Sequence, residues 1–171
     1  SYMYPGTSAK LKVLATEVLP GVFEVPVFGR SLCLALREEL RHFLAMQAEG
    51  LAPRRTNNHH KYGAIANDMG LEGLMLALLQ RVVAPLAKAL FSVEGAEIDG
   101  QHSFFVQYRA DQDTELDNHH DDSDVTFNVA LDLEAAGGAE LHFCGLVGDA
   151  EHRHWGGSYR ASPGKAVLHL G

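Results

Sequence analysis

The sequence predicts an α+β domain in which N-terminal helices pack on a small double-sheet barrel or jelly roll. Three observations lead there. Apolar residues recur at helical spacing in two stretches before residue 100. The apolar period switches to two from His102 onward. Turn residues then divide the alternating stretch into several short runs, as a small double-sheet architecture requires. The 171 residues, 46% of them hydrophobic, suffice for one domain over 1–171. Residues 1–100 form mainly helical support with short strands, and 101–171 form the jelly-roll strands.

The elements follow in order. LKVLATEV and GVFEVPVF are β-like runs broken by Pro20-Gly21. Ser31 to Gln47 is a helix: Leu32, Leu36, Leu40 and Phe43 share one face, and Gly50 closes it. The polar stretch APRRTNNHHKYG is a loop, with Arg54-Arg55 solvated and His59 and His60 near an entrance. A second helix spans about Gly70 to Phe91, its apolar face made by Leu71, Met75, Leu78, Val82 and Leu86. Pro85 inside that pattern predicts a kink or two abutting helices. HSFFVQYR, VTFNVALDL, AELHFCG and AVLHLG are strands, with turns at Gly137-Gly138 and Ser162-Pro163-Gly164. EHRHWGG, holding His152 and His154, is expected to be an exposed loop.

Charge and composition exclude some functions. A formal net charge of −8 argues against nucleic-acid binding through phosphate contacts. No apolar run is read as reaching the roughly 20 residues of a membrane helix. SYMYPGTSAK resembles neither a signal peptide nor a transit peptide. The two cysteines, Cys33 and Cys144, form no metal or redox spacing, which favours buried thiols in an intracellular reducing compartment.

The ligating chemistry is concentrated in NHHDDSD, Asn118 to Asp124, with two histidines and three aspartates in seven residues. His119 and Asp121 are two apart, so an extended chain projects both to one face, about 6.5 to 7 Å apart along the backbone. That suits two cis ligands of one metal, and a distant histidine would complete a facial triad for Fe(II). Taken alone, the spacing also fits an acidic turn entering a strand. From the residues alone, Tyr108 is equally a core aromatic, and Asn128 equally a buried amide tied to the backbone.

The run YRADQDTELDNHHDDSDVTFNVAL resembles the prolyl and lysyl hydroxylase-like 2-oxoglutarate/iron(II) oxygenases. The likeness extends through NNHHKYGAIANDMGLEGLM, VVAPLAKALF, GGAELHFCG and GKAVLHLG. It implies that His119 and Asp121 are the first two iron ligands, with His120 facing away. It also implies that Tyr108 and Asn128 hold 2-oxoglutarate as neutral hydrogen-bonding groups. Fe(II) and 2-oxoglutarate are the implied cofactor and cosubstrate, with ascorbate a further candidate. The implied activity couples oxidative decarboxylation of 2-oxoglutarate to hydroxylation of a protein or peptide side chain.

In the family pattern a third ligand histidine and a carboxylate-clamping arginine follow the strand that here reads AVLHLG. Both positions lie past Gly171, so the resemblance implies a double-stranded β-helix (jelly-roll) barrel whose C-terminal strands are incomplete. His169, His142, His152 and His154 are each expected to be non-ligands. An alternative reading is therefore a noncatalytic assembly subunit, in which a multisubunit complex covers the open barrel edge. A cupin-like metal-storage domain is a weaker one, because too few histidines fall on paired strands.

Overall fold

Alternation along the last strand sets up the layers of the molecule. A computed structural model describes residues 13–49, 63–108, 111, 114–132, 140–150, 152–154 and 156–171. Strand β8 (Lys165–Leu170) is central to a four-stranded antiparallel sheet of order β1-β2-β8-β5. Here β1 is Thr16–Leu19, β2 is Val22–Pro26 and β5 is Val125–Val129. Val167 and Leu168 are both buried, yet adjacent strand residues point to opposite faces. The sheet is therefore covered on both sides.

On one face Leu168 and Val25 meet Leu86 and Phe91 of the helical layer, with Phe23, Val125, Phe127 and Leu170 packed around them. On the other, Val167 and Val22 meet Tyr159, Leu141 and Phe143. Those last three come from the antiparallel pair β6 (Glu140–Phe143) and β7 (Gly157–Arg160). The molecule is a mixed helix-and-sheet structure with antiparallel pairing throughout its described strands.

Two turns hold the sheet in register. Pro20-Gly21 closes the β1–β2 hairpin as expected. Gly21 takes φ 72°, and its N–H donates to Glu17 Oε1 at 2.9 Å. Gly164 takes φ 81° and accepts from both Val27 N–H (3.0 Å) and Phe28 N–H (2.9 Å), which docks the chain after β2 onto the start of β8.

Helix α1 (Arg30–Ala48) extends one residue beyond the sequence expectation at each end. Its buried face is Cys33, Leu36 and Leu40, and Leu32 is only partly covered. Leu40 meets Ala64 and Met69, with Phe105 against them, so α1 packs on the small β3–β4 sheet. Arg37 on α1 reaches Asp132 at 2.5 Å, tethering the helix to the segment after β5.

The break expected at Pro85 has a defined form. Helix α2 (Glu72–Leu78) passes through a π-helical turn, Leu79–Val83, into α3 (Ala84–Leu90). Pro85 has no N–H to give, and its ring crowds the carbonyl four residues back, so one residue is accommodated as a bulge. The whole run Glu72–Leu90 is 19 residues, long and apolar enough by length and composition to cross a membrane. Core helices meet the same criterion, so the helix marks no membrane-spanning segment. Its Leu86 and Ala87 are fully buried in the protein core.

Two strands were not legible in the sequence. Gly63–Ile65 (β3) pairs with β4 (Phe104–Val106), and β7 emerges directly from the EHRHWGG stretch. HSFFVQYR yields only three strand residues, so Tyr108 lies just past the end of β4. Arg54, Arg55, His59, His60 and the Gly137-Gly138 turn lie outside the described residues.

Candidate metal centre

The centre is built where a polar loop enters β5. The β5–β8 register pairs Thr126 with His169 and Asn128 with Val167. All four therefore share the face that carries Val167 toward β6–β7, while Val125 and Phe127 turn to the helices. Asp121 to Asp124 lie against the end of β8, where Gly171 N–H donates to Asp124 O at 3.4 Å.

His119 and Asp121 do come together: Nε2 of the imidazole is 3.2 Å from Oδ1 of the carboxylate. Each side chain is fixed by its other polar atom. His119 Nδ1 lies 2.8 Å from the Asp117 carbonyl, which can only accept, so the proton belongs on Nδ1. Thr126 Oγ1 donates to Asp121 Oδ2 at 2.5 Å, and Ser123 Oγ is 3.1 Å from Thr126 Oγ1. His120, between the two, is exposed.

The remaining atoms, Nε2 and Oδ1, face each other at a distance that suits either a charge-assisted hydrogen bond, with Nε2 also protonated, or a cation shared between them. Two cis ligands, each about 2.1 Å from a metal, sit about 3.0 Å apart. A histidine whose second nitrogen donates to a backbone carbonyl, beside a carboxylate that is itself hydrogen-bonded, is the usual outer support of a metal site. The residues present fit two of the three protein ligands of a facial iron site. Among the described residues no cluster of three His, Cys, Asp or Glu side chains forms a complete cage.

His169 stands next to this pair. Its Nδ1–H donates to Leu170 O at 2.6 Å, and Asn128 Nδ2 lies 3.5 Å from its Nε2. Phe143 packs edge-on against the ring at 5.1 Å. Burial pushes the imidazole below its usual range, against the Leu170 carbonyl and the Asp121 charge, which draw it up. His169 is thus a neutral wall of the centre. Neither its place there nor Thr126's hold on Asp121 was anticipated from the sequence. The signal for Thr126 was available: it is the first inward position of the strand that follows the ligands.

Tyr108 is not placed as deeply as the sequence reading supposed. It follows β4, which belongs to a different sheet from β5 and β8, and it is 49% exposed. Asn128 is exposed on the inward face of β5. His142, on β6, is hydrogen-bonded to Ser158 at 2.9 Å. Cys33 is buried, as expected, whereas Cys144 is only partly so, and both are free thiols.

A family model described as the OGFOD2-like domain matches residues 3–96, just over half of the chain. The 2-oxoglutarate and iron-dependent oxygenase domain-containing protein CP2 of Arabidopsis thaliana is 36% identical over 172 residues, which covers 96% of this chain and 43% of that protein. The 2-oxoglutarate and iron-dependent oxygenase domain-containing protein 2 of Homo sapiens is 39% identical over 127 residues, 73% of this chain and 35% of its own length. The multifunctional procollagen lysine hydroxylase and glycosyltransferase LH3 of Rattus norvegicus is 28% identical over 122 residues. The chain spans 43% or less of the length of each of these relatives. The names of the Arabidopsis and human relatives carry iron and 2-oxoglutarate dependence, and the chain belongs to this OGFOD2-like family of 2-oxoglutarate and iron-dependent oxygenases.

Proposed function

We propose that this chain forms the first half of the catalytic centre of an Fe(II)- and 2-oxoglutarate-dependent dioxygenase that hydroxylates a protein or peptide side chain. The observation that carries the proposal is the 3.2 Å approach of His119 Nε2 and Asp121 Oδ1, each side chain braced from behind. Fe(II) and 2-oxoglutarate, when bound, would supply an O₂-dependent oxidation in which one oxygen atom of O₂ ends in succinate, with release of CO₂, and the other in the hydroxyl group formed from a substrate C–H bond. The chain's own residues bind and orient. Asp117 and Thr126 hold the two ligands, and His169, kept neutral by burial, adds no competing positive charge beside the cation. Tyr108 and Asn128 are the residues proposed to hydrogen-bond 2-oxoglutarate, with Tyr108 closing over the cosubstrate from the rim. Ascorbate, as an auxiliary reductant, belongs to the same proposal.

The two covered faces of the β1-β2-β8-β5 sheet support reading 1–171 as one oxygenase-like domain with jelly-roll strands in its second half. Substrates and turnover belong to the whole protein. The test is Fe(II)-dependent succinate formation from 2-oxoglutarate by the protein that contains this chain. His119→Ala and Asp121→Ala are each expected to lower it by at least a hundredfold. Turnover that survives both substitutions contradicts the proposal.

A second reading rests on a separate observation. Among the described residues β5 is an edge strand, and such an edge accepts a partner's strand. A noncatalytic assembly role predicts a stable complex through this edge that forms without Fe(II) or 2-oxoglutarate. Absence of any metal-independent complex removes it.

A further inference from the structure

Beside the centre lies an open depression of about 420 Å³, lined by residues of β6, β7 and the loop between them. Its polar lining is donor-rich: Asn118, His142, Arg153, His154 and Ser158 all face it, and among the described residues none of its lining is acidic. That is unusual for a chain with 22 acidic residues and a net charge of −8. Arg153 carries a permanent charge and a planar fork that suits a carboxylate. It is also the only described non-glycine residue with positive φ, at 66°. Such a backbone persists only where its surroundings impose it. Here the Arg153 N–H is held by Cys144 O at 2.7 Å, which fixes where the side chain leaves the loop. Ser158 Oγ holds His142 Nδ1 at 2.9 Å, leaving Nε2 as that ring's other hydrogen-bonding atom.

Two residues join the depression to the centre. Asn118 immediately precedes His119, and Phe143, on its wall, packs against His169. We propose that this depression is a substrate subsite that binds a carboxylate side chain of an acidic peptide, with Arg153 as its anchor and Asn118, His154 and the Nε2–H of His142 as supporting donors, Ser158 O–H donating to His142 Nδ1 to set that tautomer. The inference rests on the dioxygenase reading for the word substrate; the binding itself does not need iron. An acidic peptide approaches this chain against the repulsion of its net charge, so any preference for one must come from local donors.

The test is fluorescence anisotropy on the metal-free chain at low salt. The probe is a fluorescein-labelled nonapeptide with a central lysine and glutamates at alternate positions, compared with the same peptide carrying glutamines. The glutamate peptide is expected to bind at least tenfold more tightly. Arg153→Gln is expected to reduce that ratio to within twofold, while Lys88→Gln, which removes an exposed charge on α3, leaves it unchanged. Circular dichroism confirms that both variants fold. Equal binding of the two peptides, or a ratio that survives Arg153→Gln, overturns the proposal. So does weaker 2-oxoglutarate binding in the Fe(II)-loaded Arg153→Gln protein with no loss of the peptide preference, since the cluster would then serve the cosubstrate. Loss of iron binding alone, with the peptide preference intact, counts against the dioxygenase reading and not against the subsite.

Discussion

Thr126 shows what a single residue contributes to this centre. Its hydroxyl takes one oxygen of Asp121 out of play and leaves the other beside His119. Removing the hydroxyl while keeping the shape frees the carboxylate to rotate, so Thr126→Val should weaken Fe(II) binding about tenfold, and Thr126→Ser should restore most of it. An anaerobic Fe(II) titration followed by calorimetry reads both. Equal affinity in wild type and Thr126→Val would show that the hydrogen bond positions nothing. That His119 and Asp121 stand together was legible from the sequence, because the i, i+2 spacing before a strand has a direct geometric meaning; their role as ligands was implied by the resemblance. Thr126 was not, because a β-branched residue opening a strand reads first as strand propensity. Tyr108 was assigned to the cosubstrate from the resemblance, as a tyrosine of the strand that carries Phe104 and Val106. The strand ends at Val106, so its alternation no longer governs Tyr108.

At the scale of elements, β8 links the helical core to the centre. Leu168 seals one face against α3, and the next residue along, His169, walls the site on the other. Leu168 is fully buried, so Leu168→Ala should cost about 2 to 5 kcal/mol, measured by urea unfolding, by removing methyl groups and leaving a cavity. A cost under about 1 kcal/mol would mean that the sheet and helix layers are not packed as described. Gly164 joins the same strand to the chain after β2. A methyl group there would strain φ 81° and come within 2.3 Å of the Phe28 carbonyl oxygen. Gly164→Ala should therefore lose at least about 1 to 2 kcal/mol in the same assay. The long strands and both helical stretches were readable from their periods. Strand β3 is three residues long, too short for a period to register, and β7 follows a Gly-Gly pair that reads as loop. The π-turn was foreseeable as a break, since Pro85 allows few alternatives, though not in its form.

At the scale of the whole molecule, one partly buried polar network ties β2, β7 and β8 together. Glu24 accepts from Tyr159 Oη at 2.8 Å and from Lys165 Nζ at 2.6 Å. Burial pushes the Glu24 carboxyl up, but the hydrogen bonds from Lys165 and Tyr159 outweigh it and hold the group below the usual carboxylate range. Burial, with the bond to Glu24, pushes the Tyr159 phenol above its usual range. A depressed carboxylate stabilises the fold above its unfolded value and loses that contribution as pH falls through its folded value. Thermal unfolding between pH 7 and pH 3 should therefore show a steeper acid loss of Tm in wild type than in Glu24→Gln. Parallel curves would mean that the network adds nothing to stability.

The claim on which the account turns is that His119 and Asp121 jointly receive one divalent cation. Mn(II)-induced broadening of backbone amide signals in a ¹H–¹⁵N spectrum tests it directly, because it locates even a weakly held ion. Signals from Asn118 to Asp122, Thr126 and His169 should vanish first at substoichiometric Mn(II), and His119→Ala should abolish that pattern. Broadening spread over the acidic surface, or centred on the same loop but unchanged by His119→Ala, would contradict the account.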